Sequence, residues 1–325
     1  MILTSFKQAK LTPTEFESAS KELDELFLGL KANGNKKGLN PKGLKVLEDK
    51  KFEVAELIIQ LINDQYLLTD PTPLLVQVED GDIRNNYVWQ TLDSNLRVVN
   101  RSYGTKPISQ RLNFKEFPIT TSMKESAVEI PLEELASGRI TTSLVTQQMA
   151  NAIRRYRVGA VLDGINAGVT SGPDRTGLAG YTLRYSGFTQ ANVDKAIDGL
   201  LDESESATMF GRYTAFAPTM RQFPDFLDSG LLGDQMTTRG SIGEYHNATI
   251  LTLRDQFSKV DASHVISNQR VWLASSTPGA IWMQKDVSFL NWTMLDPRSA
   301  TFGIGIRLED GCLVWDPYQY RIIDL

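Results

Sequence analysis

Residues 74–130 form a stretch with strand-forming composition that is too polar to be buried, and this combination restricts the folds open to the chain. The segments PLLVQVEDGDIRNNYVWQTLD and NLRVVNRSYGTKPISQRLNFKEFPIT are rich in β-branched and aromatic residues, and Asp80-Gly81 and Tyr103-Gly104 divide them into extended runs. The polar residues that a buried strand would not accommodate are Arg97, Asn100, Arg101, Lys106, Gln110, Arg111 and Lys115. A long two-stranded ribbon of this kind is marginal in water by itself, so it needs another surface to lie on.

Helical patterns precede this stretch. Thr12, Pro13 and Glu15 have the spacing of a capping box, and apolar residues then recur at helical intervals. A second helical pattern starts at Pro41 and runs to about Asp64. The sequence therefore predicts two consecutive helices before the ribbon.

A third helical pattern follows the ribbon and is unusually long. Its apolar stripe runs over residues 131–165, which predicts a single helix about 50 Å long. Gly138 and Gly159 lie within it and weaken it, so a kink or a break is compatible with the pattern. Further along, the sequence predicts a strand in MFGRYTAFAP, strands near 264–274 and 280–284, and a terminal hairpin turning at Asp310-Gly311.

The composition describes a folded chain of 325 residues with no covalent cross-link. Hydrophobic residues make up 41% and charged residues 22%, the net charge is -5, and Cys312 is the single cysteine. An acidic balance disfavours a protein that grips nucleic acid over its whole surface. There is no signal-peptide pattern, and no apolar run approaches the roughly 18 residues of a membrane span, so we expect no membrane partner.

The residues that most often carry chemistry do not form a recognised catalytic constellation. His246 and His264 do not have the spacing of metal ligands, and the chain has no Gly-x-Ser-x-Gly motif to supply a nucleophile for a histidine base. We therefore interpret both histidines as surface or strand residues. Cys312 lies among apolar residues and is interpreted as a core thiol. We expect no catalytic residue, no cofactor and no metal.

Three charged or glycine-rich segments could have a binding role, and each also has a structural explanation. GPDRTGLA, residues 172–179, has P-loop glycine spacing but lacks the lysine that meets phosphate. EDGD, residues 79–82, offers carboxylates for a metal, yet a solvated turn explains it better. RRYR, residues 154–157, could bind phosphate, and we favour pairing with acidic neighbours.

The order of these elements and four sequence segments resemble the major capsid proteins of tailed phages, which have the Hong Kong 97-type fold shared with encapsulin shells. The resemblance covers residues 74–325. The segments that carry it are ITTSMKESAVEIPLEELASGRITTSLVTQQMANAIRRYRVGAVLDGI, ATMFGRYTAFAPTMRQFPDFLDSGLLG, GSIGEYHNATILTLRD and EDGCLVWDPYQYRIIDL. They are similar to the family's spine helix, its axial-domain strand and helix, its glycine-led turn and its terminal strand pair.

The resemblance implies an α+β fold with the following expected domain organisation. The parts are an extended β-ribbon (74–120), a peripheral domain (121–188) with a spine helix (131–165), an axial domain (189–300), and C-terminal strands that return to the peripheral domain (301–325). Residues 1–73 lie outside the resemblance and are expected to form a helical N-terminal arm, with a scaffold-like segment as the alternative.

The resemblance also implies a function. A chain of this family self-assembles through hexamers and pentamers into an icosahedral shell around double-stranded DNA, is found in the virion, and is assembled in the host cytoplasm. Portal, scaffold and decoration proteins are its further expected partners. Two alternatives stay open, namely an encapsulin-type compartment shell that holds a protein cargo, and a soluble α/β enzyme.

Two regions are expected to touch neighbouring copies of the chain. One is the polar ribbon, and the other is the glycine-led turn before the strand of residues 248–253. The predicted contact residues are Arg97, Arg101, Lys106, Arg111, Arg239, Gly240, Gly243, Glu244 and Tyr245.

Overall fold

The fold is mixed α+β, as predicted. The computed structural model describes residues 13–30, 39–67, 72–81, 87–93, 113–171, 182–202, 204–223, 243–253, 266–284, 288–290, 295–296 and 301–325. Within these ranges the strands form two six-stranded sheets and a separate two-stranded ribbon.

The helices and strands have the following bounds. The helices are α1 (Pro13–Leu28), α2 (Pro41–Leu67), α3 (Leu132–Ala136), α4 (Thr142–Ser171), α5 (Gln190–Leu201) and α6 (Tyr213–Met220). The strands are β1 (Gln77–Asp80), β2 (Tyr87–Asp93), β3 (Asn113–Ile119), β4 (Ser122–Pro131), β5 (Arg184–Ser186), β6 (Ala207–Gly211), β7 (Glu244–Tyr245), β8 (Ala248–Thr252), β9 (Arg270–Ser275), β10 (Ala280–Gln284), β11 (Ser288–Leu290), β12 (Leu295–Asp296), β13 (Thr301–Val314) and β14 (Tyr320–Asp324).

The first sheet is built around β13. On one side β13 pairs with β10, β11 and β12, and on the other side it pairs with β4, while β1 adds to β10 in parallel. The predicted hairpin at Asp310-Gly311 is wrong, because β13 runs through both residues without a turn. Gly311 instead lets the backbone at Thr120 approach β13 closely, since a Cβ at residue 311 would clash with the Thr120 carbonyl.

The predicted 131–165 helix is also wrong in its bounds. The chain forms a short α3, turns at Gly138 with a φ of 72°, and restarts as α4 at Thr142. Asp24 of α1 stabilises that restart, because its Oδ1 accepts a hydrogen bond from the Thr142 N–H at 2.7 Å.

The helix α4 also continues past the predicted end at residue 165. A Cβ on Gly164 would lie 2.7 Å from the Cys312 Sγ, and one on Gly168 would lie 2.6 Å from the Val314 Cβ. These glycines therefore let α4 approach β13 closely and do not end the helix.

The N-terminal helices do not form an extended arm. They pack on their own chain against α4 and the first sheet, and Phe27 of α1 meets Phe302 of β13 edge-on at 5.7 Å between ring centroids. The same core contains Leu23 of α1 and Ile58 and Leu61 of α2, all at most 2% exposed. Residues 1–12 lie outside the described part.

The second sheet has the order β5-β14-β9-β6-β8-β7. The last strand, β14, pairs with β9 of the predicted axial region and with β5, which lies at the end of the predicted peripheral range, so it does not join β13 in the first sheet. Both faces of β14 are covered, because Ile322 packs in one apolar cluster and Ile323 in another, and each is at most 1% exposed. The domain boundaries themselves stay predictions.

The segment MFGRYTAFAP is half strand and half helix, where the sequence predicted strand throughout. The strand β6 ends at Gly211, and α6 then buries Phe216, Ala217 and Met220. Those three residues recur at helical spacing, which outweighs the β-branched and aromatic composition of the segment.

Candidate assembly surface

The predicted ribbon is present in its described part as the antiparallel pair β2–β3. Seven residue pairs join it, from Tyr87↔Ile119 to Asp93↔Asn113. At its base Ile119 is 7% exposed and packs with Ile281 and Met283 of the first sheet. Farther out the side chains face solvent, among them Gln90, Lys115 and Glu116. The ribbon is therefore anchored at its base and exposed beyond it.

The strand β4 is a free edge of the first sheet. It pairs with β13 over ten residues, and no strand in the described ranges pairs with its other side. Ten extended residues span about 34 Å, and most of the β4 side chains are exposed. An exposed strand edge offers unpaired backbone N–H and C=O groups that another chain can pair with.

An apolar groove of about 660 Å³ lies beside this edge, between β4 and the first half of α4. Its polar lining residues include Lys124, Glu125 and Tyr156. Leu144 of α4 lines the groove and is 44% exposed, although it is a large hydrophobic residue. The apolar lining residues are Val128, Ile130, Ile140, Leu144, Val145, Met149, Ala152, Ile153, Ile306 and Leu308.

The ribbon sequence is basic, whereas the segment that contains β4 and α3 is acidic. Residues 94–112 carry four basic side chains and no acidic one. Residues 122–136, which include β4 and α3, carry four glutamates and one lysine. Within its own chain Glu125 also pairs with Arg307 at 3.8 Å, and both side chains are more than two-fifths exposed. The ribbon sequence and the β4 surface are therefore complementary in charge.

A buried polar cluster lies where the ribbon joins the body. Arg157 of α4 and Asp310 of β13 have side chains that are 3% and 0% exposed, and their Nε and Oδ2 atoms are 3.6 Å apart. The Tyr156 hydroxyl donates to the Asp310 Oδ1 at 2.9 Å. Burial raises the pKa of Asp310 above its ordinary value, although Tyr156 and Arg157 oppose that change. Arg157 of the RRYR segment does have an acidic partner, as predicted, although that partner lies on β13 and not on the same helix.

The predicted turn before β8 is formed by His246 and Asn247. Their φ angles are 47° and 62°, so both residues are left-handed, and they join β7 to β8 as a two-residue hairpin. The His246 ring stacks on Tyr245 with 4.3 Å between centroids, and its Nδ1 lies 3.6 Å from the Asp194 Oδ1.

The predicted contact residues have different outcomes. Gly243 and Glu244 are exposed next to this turn. The prediction for Tyr245 is wrong, because its side chain is fully buried and its hydroxyl donates to the Asp194 Oδ1 at 2.9 Å. The remaining predicted contact residues and His264 lie outside the described residues. The set outside comprises Arg97, Arg101, Lys106, Arg111, Arg239 and Gly240.

The other chemical candidates have structural roles. Cys312 packs in the core as predicted, and burial raises the pKa of its thiol to about 12. Glu79 and Asp80 belong to strand β1, so the predicted solvated turn is wrong at these two positions. In the part of the chain that the structure describes, no cluster of histidine, cysteine and acidic residues could hold a metal ion. Likewise no described helix combines the length and apolarity needed to cross a bilayer.

The sequence did not predict the free edge, the groove or the identity of Asp310 as the partner of Arg157. The charged residues of β4 were visible, but they lie in a segment interpreted as the start of a helix-bearing domain. The run Ser122–Pro131 could have indicated the edge, because it mixes apolar and charged residues, and charged side chains are typical of edge strands that avoid unwanted pairing.

No protein-family model matches the chain, and no curated protein sequence matches it. Solved structures are similar to it in three dimensions. The mature capsid of bacteriophage PhiM1 has a TM-score of 0.53 and 9% identity, over 79% of this chain and 87% of that chain. The capsid of an empty GTA particle has a TM-score of 0.53 and 11% identity, over 78% of this chain and 88% of that chain. A structure of Gordonia phage Cozz has a TM-score of 0.50 and 13% identity, over 78% of this chain and 85% of that chain.

At these identities the likeness is one of fold. The chain has the Hong Kong 97-type fold, so the resemblance inferred from the sequence is confirmed at that level. Fold alone does not assign a function, which has to be argued from the surfaces.

Proposed function

We propose that the chain is a major capsid protein that self-assembles through hexamers and pentamers into an icosahedral shell around double-stranded DNA. The protein acts by contact and without catalysis. Its fold is similar to those of the PhiM1 capsid and of the GTA particle capsid, which supports the proposal. The observation that carries it is the ribbon, which is anchored at its base and exposed beyond it.

The ribbon of one copy would lie on the β4 edge and groove of the next. The basic residues 94–112 would meet the acidic residues 122–136, and the groove would receive apolar side chains. Because the two surfaces differ, the contact is heterologous, and a rotation that closes it produces a ring.

The exposed surface is large enough for such contacts. A compact monomer of this mass exposes about 13,000 Å². A stable specific interface buries about 1,200–2,000 Å² in total. Several such interfaces per copy are therefore available without unfolding the body.

Electron microscopy of the chain expressed alone tests the proposal. Wild-type protein should form closed shells. A variant that replaces residues 94–112 with an Asn-Gly turn shortens the ribbon to a plain hairpin and should give a folded subunit that does not close. Asp163→Asn, an exposed change on α4, is the control. Wild-type shell yield from the shortened variant would refute the proposed role of the ribbon.

The contents of purified particles test the finer part of the proposal. Long double-stranded DNA inside particles from infected or producing cells supports a virion shell assembled in the host cytoplasm. A protein cargo without DNA would support the encapsulin-type alternative. Mass spectrometry of the same particles would identify portal, scaffold and decoration proteins, which belong to the proposal as expected partners.

A further inference from the structure

The two legs of the ribbon leave the body next to the buried Arg157–Asp310 pair. On the first leg, β1 ends at Asp80, and the Gly81 N–H donates to the Gln284 carbonyl at 2.9 Å. The Gln284 side chain links this leg to the pair. Its Nε2 donates to the Asp80 Oδ1 at 3.1 Å, and its Oε1 accepts from the Arg157 Nη1 at 2.6 Å.

The second leg is held from the other side of β13. Asp310 of β13 pairs in register with Ser122, the first residue of β4, on one side, and with Gln284 of β10 on the other side. The Thr121 hydroxyl donates to the Glu309 Oε1 at 3.3 Å. One buried carboxylate thus lies between the strand that carries the outgoing leg and the strand that carries the returning leg.

Directional contacts hold these roots in a way that apolar packing alone would not. Apolar contacts tolerate sliding, because burial is not directional. An ion pair out of water is favourable only in good geometry and with its remaining hydrogen bonds satisfied. The Arg157 Nε and Asp310 Oδ2 atoms attract as charges at 3.6 Å, which is beyond hydrogen-bond range. The directional contacts are the hydrogen bonds from the Tyr156 hydroxyl to the Asp310 Oδ1 and from the Arg157 Nη1 to the Gln284 Oε1, and these favour a single arrangement of α4, β13 and the first leg.

We propose that Arg157 and Asp310 are positioning residues that fix the angle at which the ribbon leaves the body. This inference rests on the proposed function, in which the ribbon must meet a neighbouring copy at a set place. The pair touches no neighbouring copy itself and acts through the roots of the two legs.

The direction of the ribbon can be measured on the unassembled full-length subunit. Spin labels at Lys115→Cys on the ribbon and Asp163→Cys on α4 report the distance between ribbon and body by electron–electron double resonance. Both positions are exposed, whereas Cys312 is only half-buried but has a thiol pKa raised to about 12 by desolvation, so it should react with the label much more slowly than the two introduced cysteines.

Two variants remove the directional contacts. The double variant Arg157→Met with Asp310→Leu keeps the site filled but apolar, and Gln284→Met at the half-buried edge uncouples only the first leg. Both should broaden the distance distribution about twofold, because apolar contacts replace oriented ones. Glu134→Gln, which breaks the exposed ion pair with Arg139, should leave the distribution unchanged.

The outcomes separate this inference from the proposed function. An unchanged distribution in folded Gln284→Met and in the folded double variant overturns the positioning role, even if wild-type protein forms shells. If one variant does not fold, the other decides. Broadening in these variants supports the positioning role even if the wild-type chain never assembles, in which case only the proposed function fails.

Discussion

Replacing Leu144 with aspartate should separate the stability of the subunit from its ability to assemble. Leu144 is the third residue of α4, lines the groove and is 44% exposed. An aspartate in the first turn of a helix interacts favourably with the helix dipole, worth about 0.3–1 kcal/mol. The covered 56% of the leucine (100% minus the exposed 44%) contributes about 0.8–1.7 kcal/mol, so that gain offsets only part of the lost burial, and the melting temperature of the subunit should fall by at most a few degrees.

The effect on assembly should be much larger. Full burial of a leucine contributes about 1.5–3 kcal/mol, so covering the exposed 44% of Leu144 contributes about 0.7–1.3 kcal/mol per contact. The aspartate loses this term and brings an unpaired carboxylate into an apolar contact, which costs several kcal/mol more. Each 1.4 kcal/mol is about a tenfold change in an equilibrium constant, so the critical concentration should rise at least about a hundredfold.

Light scattering against protein concentration measures that critical concentration, and thermal unfolding of dilute subunits measures stability. Val46→Asp is the matched control, since Val46 is 49% exposed on α2 and lies outside the groove. If Leu144→Asp assembles at the wild-type concentration while its subunit is stable, the groove is not a contact surface and the reasoning is wrong.

The remaining predictions concern the body of the subunit. Gly168→Val should lower the free energy of unfolding in urea by about 1–3 kcal/mol through overpacking against β13, whereas Ala167→Val on the exposed side should not. Asp24→Ala should lower it by about 1–3 kcal/mol, because the Thr142 N–H at the start of α4 loses a charged acceptor, and Asp24→Asn should restore part of the loss. Hydrogen bonds from Arg184 and Arg270 lower the pKa of Asp324 below its ordinary value of 3.8. The stability that this carboxylate contributes is therefore present above pH 3.8 and is lost as the pH falls through the folded-state pKa, and Asp324→Asn should flatten this acid limb of the curve of unfolding free energy against pH.

The elements that could be predicted from the sequence are those whose pattern is local. Pro13 and Pro41 do begin helices, and the alternation in residues 248–252 does form a strand. The ribbon could be predicted because its polar residues exclude burial on both faces. Each of these inferences needs only the spacing of neighbouring residues.

The failures involve partners that are distant in sequence. Asp310-Gly311 has the composition of a hairpin turn, but Asp310 meets Arg157 and Tyr156, while Gly311 meets the Thr120 carbonyl. Turn composition describes what a segment prefers in isolation, and tertiary contacts override it here. The N-terminal helices show the same limit, since an amphipathic face predicts burial without naming the surface that buries it.

The surfaces proposed for assembly contain residues that are unfavourable in an isolated subunit. The edge strand β4 carries Lys124 and two glutamates, α4 exposes Leu144, and β13 buries Asp310. A subunit that worked alone would gain stability by covering the leucine and by replacing the buried carboxylate with an apolar side chain. An assembly of several copies would account for all of these residues. A second chain would cover the groove and pair with the β4 edge, and the buried Arg157–Asp310 pair would direct the ribbon that makes this contact.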